Sequence, residues 1–409
     1  MKNKKNILIV NEYAGSPKYG MNYRHYYLAK EFISRGYNVT IVSASYSHLL
    51  SEYPKVDKTY TEEDIDGITY LWIKVNKYKS SFDKKRVLKW FEFTSKLFFI
   101  SKKLPYKPDF VIWSATEPFS ILSSYYLAKK NNAKFIYEVK DIWPLTLINL
   151  GSFSEKHPLI KAMYWLQDFA LKKADIVVSN LQNYSTYIKE LHIQKSAEWI
   201  SNGIDLEEMG KIEALENEVL DKIPSDKFIV GYTGKLGVSN AVSILIETAE
   251  KLQDFSDIVF VIVGDGQEKI ILMERAKNLE NVIFIEPIKK VQVQSMLTLF
   301  DICYIGWRKE DIYKYGISPN KLFEYMYSGK AVLHSTDTTN DIVQLGNAGI
   351  SVAAENSDAI KDAILKLYHM NKKERERLGN NGKEYVLKHF TYQALTKKYI
   401  DILENNEKI

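Results

Sequence analysis

Near the end of the chain, Ser318-Pro319-Asn320-Lys321-Leu322-Phe323-Glu324 combines the signature of a helix start with an amide, an ammonium and a carboxylate. Ser is a favoured N-cap and Pro fits the first helical turn, so the pattern predicts a helix beginning at Ser318 or Pro319. A helix N-terminus presents unpaired N–H groups and about half a positive charge. Lys321 adds a full cation in the first turn. Glu324 falls near Asn320 and Lys321 on the helical wheel, which suits one polar ligand carrying both phosphate and hydroxyls. The same pattern also suits a solvated Lys321/Glu324 pair on an amphipathic helix whose Leu322, Phe323 and Met326 enter a core. A second group stands at Glu138-Val139-Lys140-Asp141-Ile142-Trp143-Pro144, at the end of an apolar run. Ligands of open parallel sheets gather at C-terminal strand ends, so Glu138, Lys140 and Asp141 are candidates for catalysis.

The elements that must position these groups form a repeating pattern. Residues 5–11 read as a buried strand, followed by a loop with Gly15, Pro17 and Gly20, a helix over 22–35 and a strand over 38–43. Apolar runs at 68–75, 110–114, 134–139, 176–179 and 197–200 then alternate with helical stretches. After Ser201-Asn202-Gly203 the pattern restarts with a strand at 228–232, a loop holding Gly231, Gly234, Lys235 and Gly237, and a strand at 258–263 leading into Gly264-Asp265-Gly266. Such alternation implies parallel α/β sheets, and 409 residues exceed what one core sustains. The expectation is two Rossmann-like domains, 1–200 and 201–390, facing across a cleft, with a C-terminal helix in 391–409 crossing back to the first.

The bulk properties are those of an ordinary globular chain, 45% hydrophobic and 26% charged. Cys303 is the single cysteine, so no disulfide forms within the chain. The apolar run Ile7 to Val10 is too short for a signal peptide, and no run approaches the roughly 18 residues of a membrane span. A cytoplasmic location is therefore expected. The net charge of +5 is unevenly spread, because residues 74–107 hold eleven Lys or Arg against Asp83 and Glu92. Within that segment Val87, Trp90, Phe91, Thr94, Leu97 and Phe98 keep helical spacing, with Lys85, Lys89, Lys96 and Lys103 opposite. Aromatics rimmed by lysines suit an anionic membrane surface, making Lys84, Lys85, Lys89, Trp90 and Lys96 candidates for it, and they also suit an ordinary domain helix with snorkelling lysines. Arg24, on the first helix, joins them on the acceptor side. Nucleic acid is not expected, since the aromatics form an apolar face and no nucleic-acid motif is present. Asp64-Ile65-Asp66 resembles a metal-holding Asp-x-Asp but stands in the acidic stretch 62–67, which reads as a surface turn, so no metal is expected.

Five motifs in order, Glu138-Val-Lys-Asp-Ile-Trp-Pro144, Ser201-Asn-Gly-Ile-Asp205, Tyr232-Thr-Gly-Lys-Leu-Gly237, Val263-Gly-Asp-Gly266 and Ser318 to Glu324, make the chain resemble a family 4 glycosyltransferase. More narrowly it is similar to bacterial enzymes of capsule, O-antigen and exopolysaccharide synthesis. The resemblance implies the two-Rossmann-domain GT-B architecture and retaining, metal-independent transfer without a cofactor. The donor would be a nucleotide sugar, UDP-linked, with N-acetylated amino sugars among the options. The acceptor would be a polyprenyl-diphosphate-linked or free saccharide at the inner face of the cytoplasmic membrane. It further implies Lys235 and Lys321 at the diphosphate and Glu324 at the ribose hydroxyls, with Gly20, Gly234, Gly264, Gly266, Ser318, Pro319 and Asn320 around the donor. Asp141, or Glu138, would orient or deprotonate the acceptor hydroxyl. Two positions depart from the broader pattern: Gly316 stands where that family has a second glutamate, and Asn240 where it has a lysine. A nucleotide-sugar epimerase of the same fold and a non-catalytic nucleotide-sugar binder are the rival readings.

Overall fold

The computed structural model describes residues 4–20, 23–79, 83, 85–151 and 153–405. The chain divides into two compact units, Met1–Ser201 with Tyr392–Ile409, and Asn202–Thr391.

The first unit is built on an eight-stranded sheet, comprising β1 (Asn6–Val10), β2 (Asn38–Ala44), β3 (Tyr60–Ile65), β4 (Ile68–Ile73), β5 (Phe110–Trp113), β6 (Lys134–Val139), β7 (Ile176–Ser179) and β8 (Glu198–Trp199). The order is β3-β4-β2-β1-β5-β6-β7-β8. All neighbours are parallel except the β3/β4 hairpin. The central strands are apolar on both faces because helices cover both sides of such a sheet. One of these is Arg24–Ser34, on which the last helix, Tyr392–Asn405, packs through Tyr27 against Tyr392 and Phe32 against Tyr399. The order reverses at β1, with β2 on one side and β5 on the other. This is a topological switch point, where open sheets leave a crevice beyond their strand ends.

The acidic stretch 62–67 corrects the expectation of a turn. Residues 60–65 form β3, and only Asp66 and Gly67, both with positive φ, make the turn. Alternation explains it: Glu62 and Asp64 face solvent, while Glu63 turns inward to accept from the Trp72 indole and the Tyr19 hydroxyl.

The second unit carries a six-stranded, wholly parallel sheet of β9 (Phe228–Thr233), β10 (Ile258–Val263), β11 (Val282–Ile285), β12 (Ile302–Gly306), β13 (Ala331–Ser335) and β14 (Gly349–Val352). Its order is β11-β10-β9-β12-β13-β14, so β9 is its switch strand. Beyond β9 the backbone is packed too closely for side chains. A Cβ on Gly264 would stand 1.9 Å from the Gly234 carbonyl oxygen, and one on Gly266 would stand 2.1 Å from that of Leu236. The loops are stitched by Gly234 N–H to Val263 (2.9 Å) and Leu236 N–H to Asp265 (2.8 Å).

We expect Gly264→Ala to destabilise the second unit by roughly 2–4 kcal/mol, since the methyl collides with backbone and φ is +143°. Gly329→Ala, with φ +75° and no neighbour closer than 3.9 Å, isolates the conformational part and should cost about 1–2 kcal/mol. Urea titration of each variant measures the difference; equal losses would mean that the close approach is relieved by a loop shift.

Candidate functional site

In the second unit the glycine loops after β9 and β10 and the start of helix Asn320–Tyr327 meet around one lysine. The Lys321 ammonium donates to the Tyr232 hydroxyl at 2.7 Å and to Asn240 Oδ1 at 3.0 Å, and lies 4.3 Å from the Tyr232 ring centre. Its Nζ is 2.8 Å from where a Cβ on Gly234 would be, and φ +138° at that position favours glycine. Burial pushes Lys321 down to about 8, against the pull of Glu324. Lys235, exposed in the same loop, makes no ion pair or side-chain hydrogen bond among the described residues. Two ammonium groups thus flank a glycine-walled loop at the switch strand, which is the chemistry of an anion site.

The helix begins later than its sequence signals. Pro319 occupies the N-cap in an extended conformation and Asn320 is the first helical residue. Ser318 does not cap, because its hydroxyl accepts from the Asn202 N–H (2.8 Å) and its carbonyl from the Asn202 side-chain amide (2.6 Å). Asn202 therefore ties the turn at 201–205 to the loop before this helix. Glu324, mostly buried, pairs with Lys290, a partner that sequence spacing does not suggest. Gly20 lies in the first unit, where φ +91° closes a turn against Ser51. It answers there to backbone packing.

At the ends of β1, β5 and β6 in the first unit, several charges are buried together. Glu138, expected as an alternative base, is buried and accepts from Arg24 Nε at 2.9 Å and from the Tyr399 hydroxyl at 2.9 Å. Arg24 also donates to the carbonyls of Ile200 and Ser201. It is buried, not an acceptor-facing surface group, because it joins the sheet, the last strand and the terminal helix. Asp141 keeps an exposed surface and lines a pocket with Lys140, Thr116 and the rings of Trp113, Tyr137 and Trp143. Surrounding protein raises the Asp141 pKa, opposed by Lys140 and the Trp143 indole. Burial lowers Lys140 to about 8, opposed by Glu138 and Asp141.

Sequence reasoning missed Glu12 and Glu117, which follow β1 and β5 at the switch point and are fully buried. Lys89 reaches Glu12 at 3.0 Å and sits 4.4 Å from the Tyr13 ring centre. Burial, and then the charge of Glu12, push Glu117 well above the usual carboxyl range. His25 is held neutral by burial, accepting from Asn11 and donating to Ser114. No periodicity signals these residues; only their position just after strand ends could have.

The expected membrane helix spans Lys85–Phe98 with its faces rearranged. Lys89 and Trp90 point inward, Lys89 to Glu12 and the Trp90 indole towards the Tyr13 hydroxyl (3.3 Å). Lys96 is engaged by Glu92 at 2.6 Å and by the Lys74 carbonyl. Lys84 lies outside the described residues. The outward stripe is instead Leu88 (67% exposed) and Phe91 (50%), continued by Phe99 (76%), with Lys85, Lys102, Lys103 and Lys107 exposed nearby.

Comparison with known proteins gives matches to two family models, "Glycosyltransferase Family 4" over residues 19–208 and "Glycosyl transferases group 1" over residues 216–385. The uncharacterized glycosyltransferase MJ1069 of Methanocaldococcus jannaschii is 27% identical over 57% of this chain and 59% of its own length. The putative colanic acid biosynthesis glycosyl transferase WcaI of Escherichia coli is 26% identical over 35% of each chain. The matched region spans less than two thirds of either relative. Among solved structures, sucrose-phosphate synthase of Thermosynechococcus elongatus superposes with a TM-score of 0.72 at 14% identity, covering 99% of this chain and 100% of that one. Anabaena HepE in complex with UDP and glucose gives 0.64 at 14% identity, covering 97% and 99%. These likenesses show the fold, two α/β domains with parallel sheets.

Glu117 yields a test with a defined sign. A carboxyl whose folded pKa is raised costs stability as pH rises from its unfolded pKa through its folded value. Glu117→Gln keeps an acceptor for the Ser120 N–H and removes that loss. It should be more stable than the wild type by roughly 1 kcal/mol at pH 8, with the gap closing near pH 4. Thermal unfolding of both proteins across that range decides; a gap independent of pH would show that Glu117 is not the titrating group.

Proposed function

We propose that this chain, which belongs to the family 4 glycosyltransferases, transfers a sugar from a UDP-linked donor to a lipid-linked saccharide acceptor, with retention, in bacterial surface-polysaccharide synthesis. The observation that carries the donor half is the pairing of Lys321 and Lys235 on the glycine-walled loop at the switch strand β9. Similar proteins add support, since HepE forms complexes with UDP and with UDP-glucose, and WcaI is named for colanic acid biosynthesis. In the proposed step the bond from the anomeric carbon to the diphosphate oxygen breaks and the electron pair leaves with the diphosphate. The acceptor oxygen bonds to the anomeric carbon on the same face. Its proton passes to Asp141 or to a departing phosphate oxygen. Lys235 and Lys321 hold the charge that grows on the diphosphate, which needs no enzymic nucleophile. Glu324 takes the ribose hydroxyls.

Incubating the protein with UDP-sugars, with and without a polyprenyl-diphosphate saccharide, tests the reading. Acceptor-dependent release of UDP is expected; an isomerised sugar would instead support an epimerase, and tight binding without turnover a carrier of nucleotide sugar. Glu324→Ala should weaken UDP by roughly 1.5–3 kcal/mol in calorimetry, since charge-assisted hydrogen bonds to ribose are lost. Unchanged affinity would remove Glu324 from the site. Lys321→Ala and Lys235→Ala should lower kcat more than they raise KM for donor, because the diphosphate gains charge as the bond breaks.

The acceptor half of the proposal places the outward stripe of Leu88, Phe91 and Phe99, with its lysines, on an anionic leaflet. Leu88→Gln with Phe99→Gln should reduce sedimentation with vesicles containing anionic lipid and slow transfer to a long-chain acceptor, while transfer to a short soluble acceptor persists. Equal slowing on both acceptors would assign the stripe to the fold.

A further inference from the structure

Asn240 stands where the resemblance leads one to expect a lysine, and its contacts suggest why a neutral residue serves. It closes the short 3-10 turn Val238–Asn240, after which Ala241 adopts a left-handed conformation (φ +46°) and helix Val242–Glu250 begins. Its Nδ2 donates to the Lys235 carbonyl at 3.1 Å, and its Oδ1 accepts from Lys321 Nζ at 3.0 Å. That orientation is fixed by chemistry, since an ammonium can only donate and a carbonyl can only accept. The Tyr232 hydroxyl repeats the arrangement, donating to the same Lys235 carbonyl at 2.7 Å and accepting from Lys321 at 2.7 Å. Lys321 is therefore held by two acceptors hung from one backbone oxygen. An ammonium has three N–H donors, so one remains for a ligand.

We propose that Asn240 is a positioning residue: it holds Lys321 so that the remaining N–H meets a phosphate oxygen of the nucleoside diphosphate. The inference rests on the donor reading above. A lysine at 240 could not accept from Lys321 and would repel it, so a cation there would weaken the arrangement rather than strengthen it. Other groups facing Lys321 do not substitute for Asn240. Glu324, a turn along its own helix, favours the charged form but is paired with Lys290. Tyr232, pushed up by burial, stays a neutral hydroxyl, and Glu268 acts on Tyr232.

The test uses the full chain. With 13C-labelled lysine, the Lys321 resonance, assigned through Lys321→Ala, should titrate near pH 8 in the wild type. Asn240→Leu removes an acceptor from the charged form and should move the midpoint down by about one pH unit, whereas Asn240→Asp should move it up by a similar amount. Asn240→Leu and Asn240→Lys should each weaken UDP about tenfold or more at pH 7, and for Asn240→Leu the further loss of affinity should set in at lower pH than in the wild type. A merely structural role would leave the Lys321 midpoint in place. If Lys321→Ala weakens UDP while Asn240→Leu changes neither midpoint nor affinity, the donor reading stands and the positioning role is overturned. If the midpoint moves but neither Lys321→Ala nor Asn240→Leu affects UDP, the coupling stands and the diphosphate reading falls.

Discussion

The contact on which the second domain's chemistry depends is backbone against backbone: Gly264 meets the Gly234 carbonyl with no room for a methyl group. Because the β9 and β10 loops can close to that distance, the strand end presents a low wall. The Lys321 ammonium can then lie where the side chain of residue 234 would otherwise be. Tyr232, the penultimate residue of β9, supplies both a ring beneath the ammonium and a hydroxyl beside it. The second sheet's switch point, its glycines and its cation are thus one arrangement. Removing water from Lys321 lowers its pKa against the pull of Glu324, while its direct hydrogen bonds go to a phenol and an amide rather than to a carboxylate, which would compete with an anionic ligand.

The first domain handles charge differently. There the switch point between β1 and β5 is filled by Glu12, Glu117 and Lys89, all buried, while Glu138 and Arg24 are locked together and to the terminal helix. Buried ion pairs of this kind are weak evidence for stability, because desolvation offsets much of their attraction, but losing one partner leaves a costly bare charge. Glu138 shows the consequence for function. A carboxylate committed to a guanidinium and a phenol has little freedom to act as a base, and Asp141, three residues on and open to solvent, retains it.

Much of the fold was legible from the chain because parallel α/β units write themselves in local terms. Apolar runs such as Ile7 to Val10 and Ile258 to Val263 must be strands buried on both faces, and Gly, Pro and Asn punctuate the helices between them. The β3 strand was not legible, since Thr61-Glu62-Glu63-Asp64 has too few apolar residues to signal burial. It forms because it pairs with β4 at the sheet edge. The same limit applies to helix Lys85–Phe98. Its period was plain, but Lys89 was assigned to the surface because a charge is ordinarily solvated, and only Glu12, 77 positions earlier, makes the inward orientation affordable.

What the sequence by itself determined, then, was the type of each domain, the glycine-flanked loops at its strand ends, and the presence of Lys235, Lys321, Glu324 and Asp141 among the residues able to do chemistry. Periodicity, turn chemistry and residue type are properties of neighbours along the chain. Tertiary structure alone decided which charges are spent. Glu138 goes to Arg24, Lys89 to Glu12, Ser318 to Asn202, and Lys321 to Tyr232 and Asn240. These partners lie from 77 to 116 positions apart. A hydrogen bond or ion pair depends on distance in space, and nothing in the local sequence of either partner encodes it.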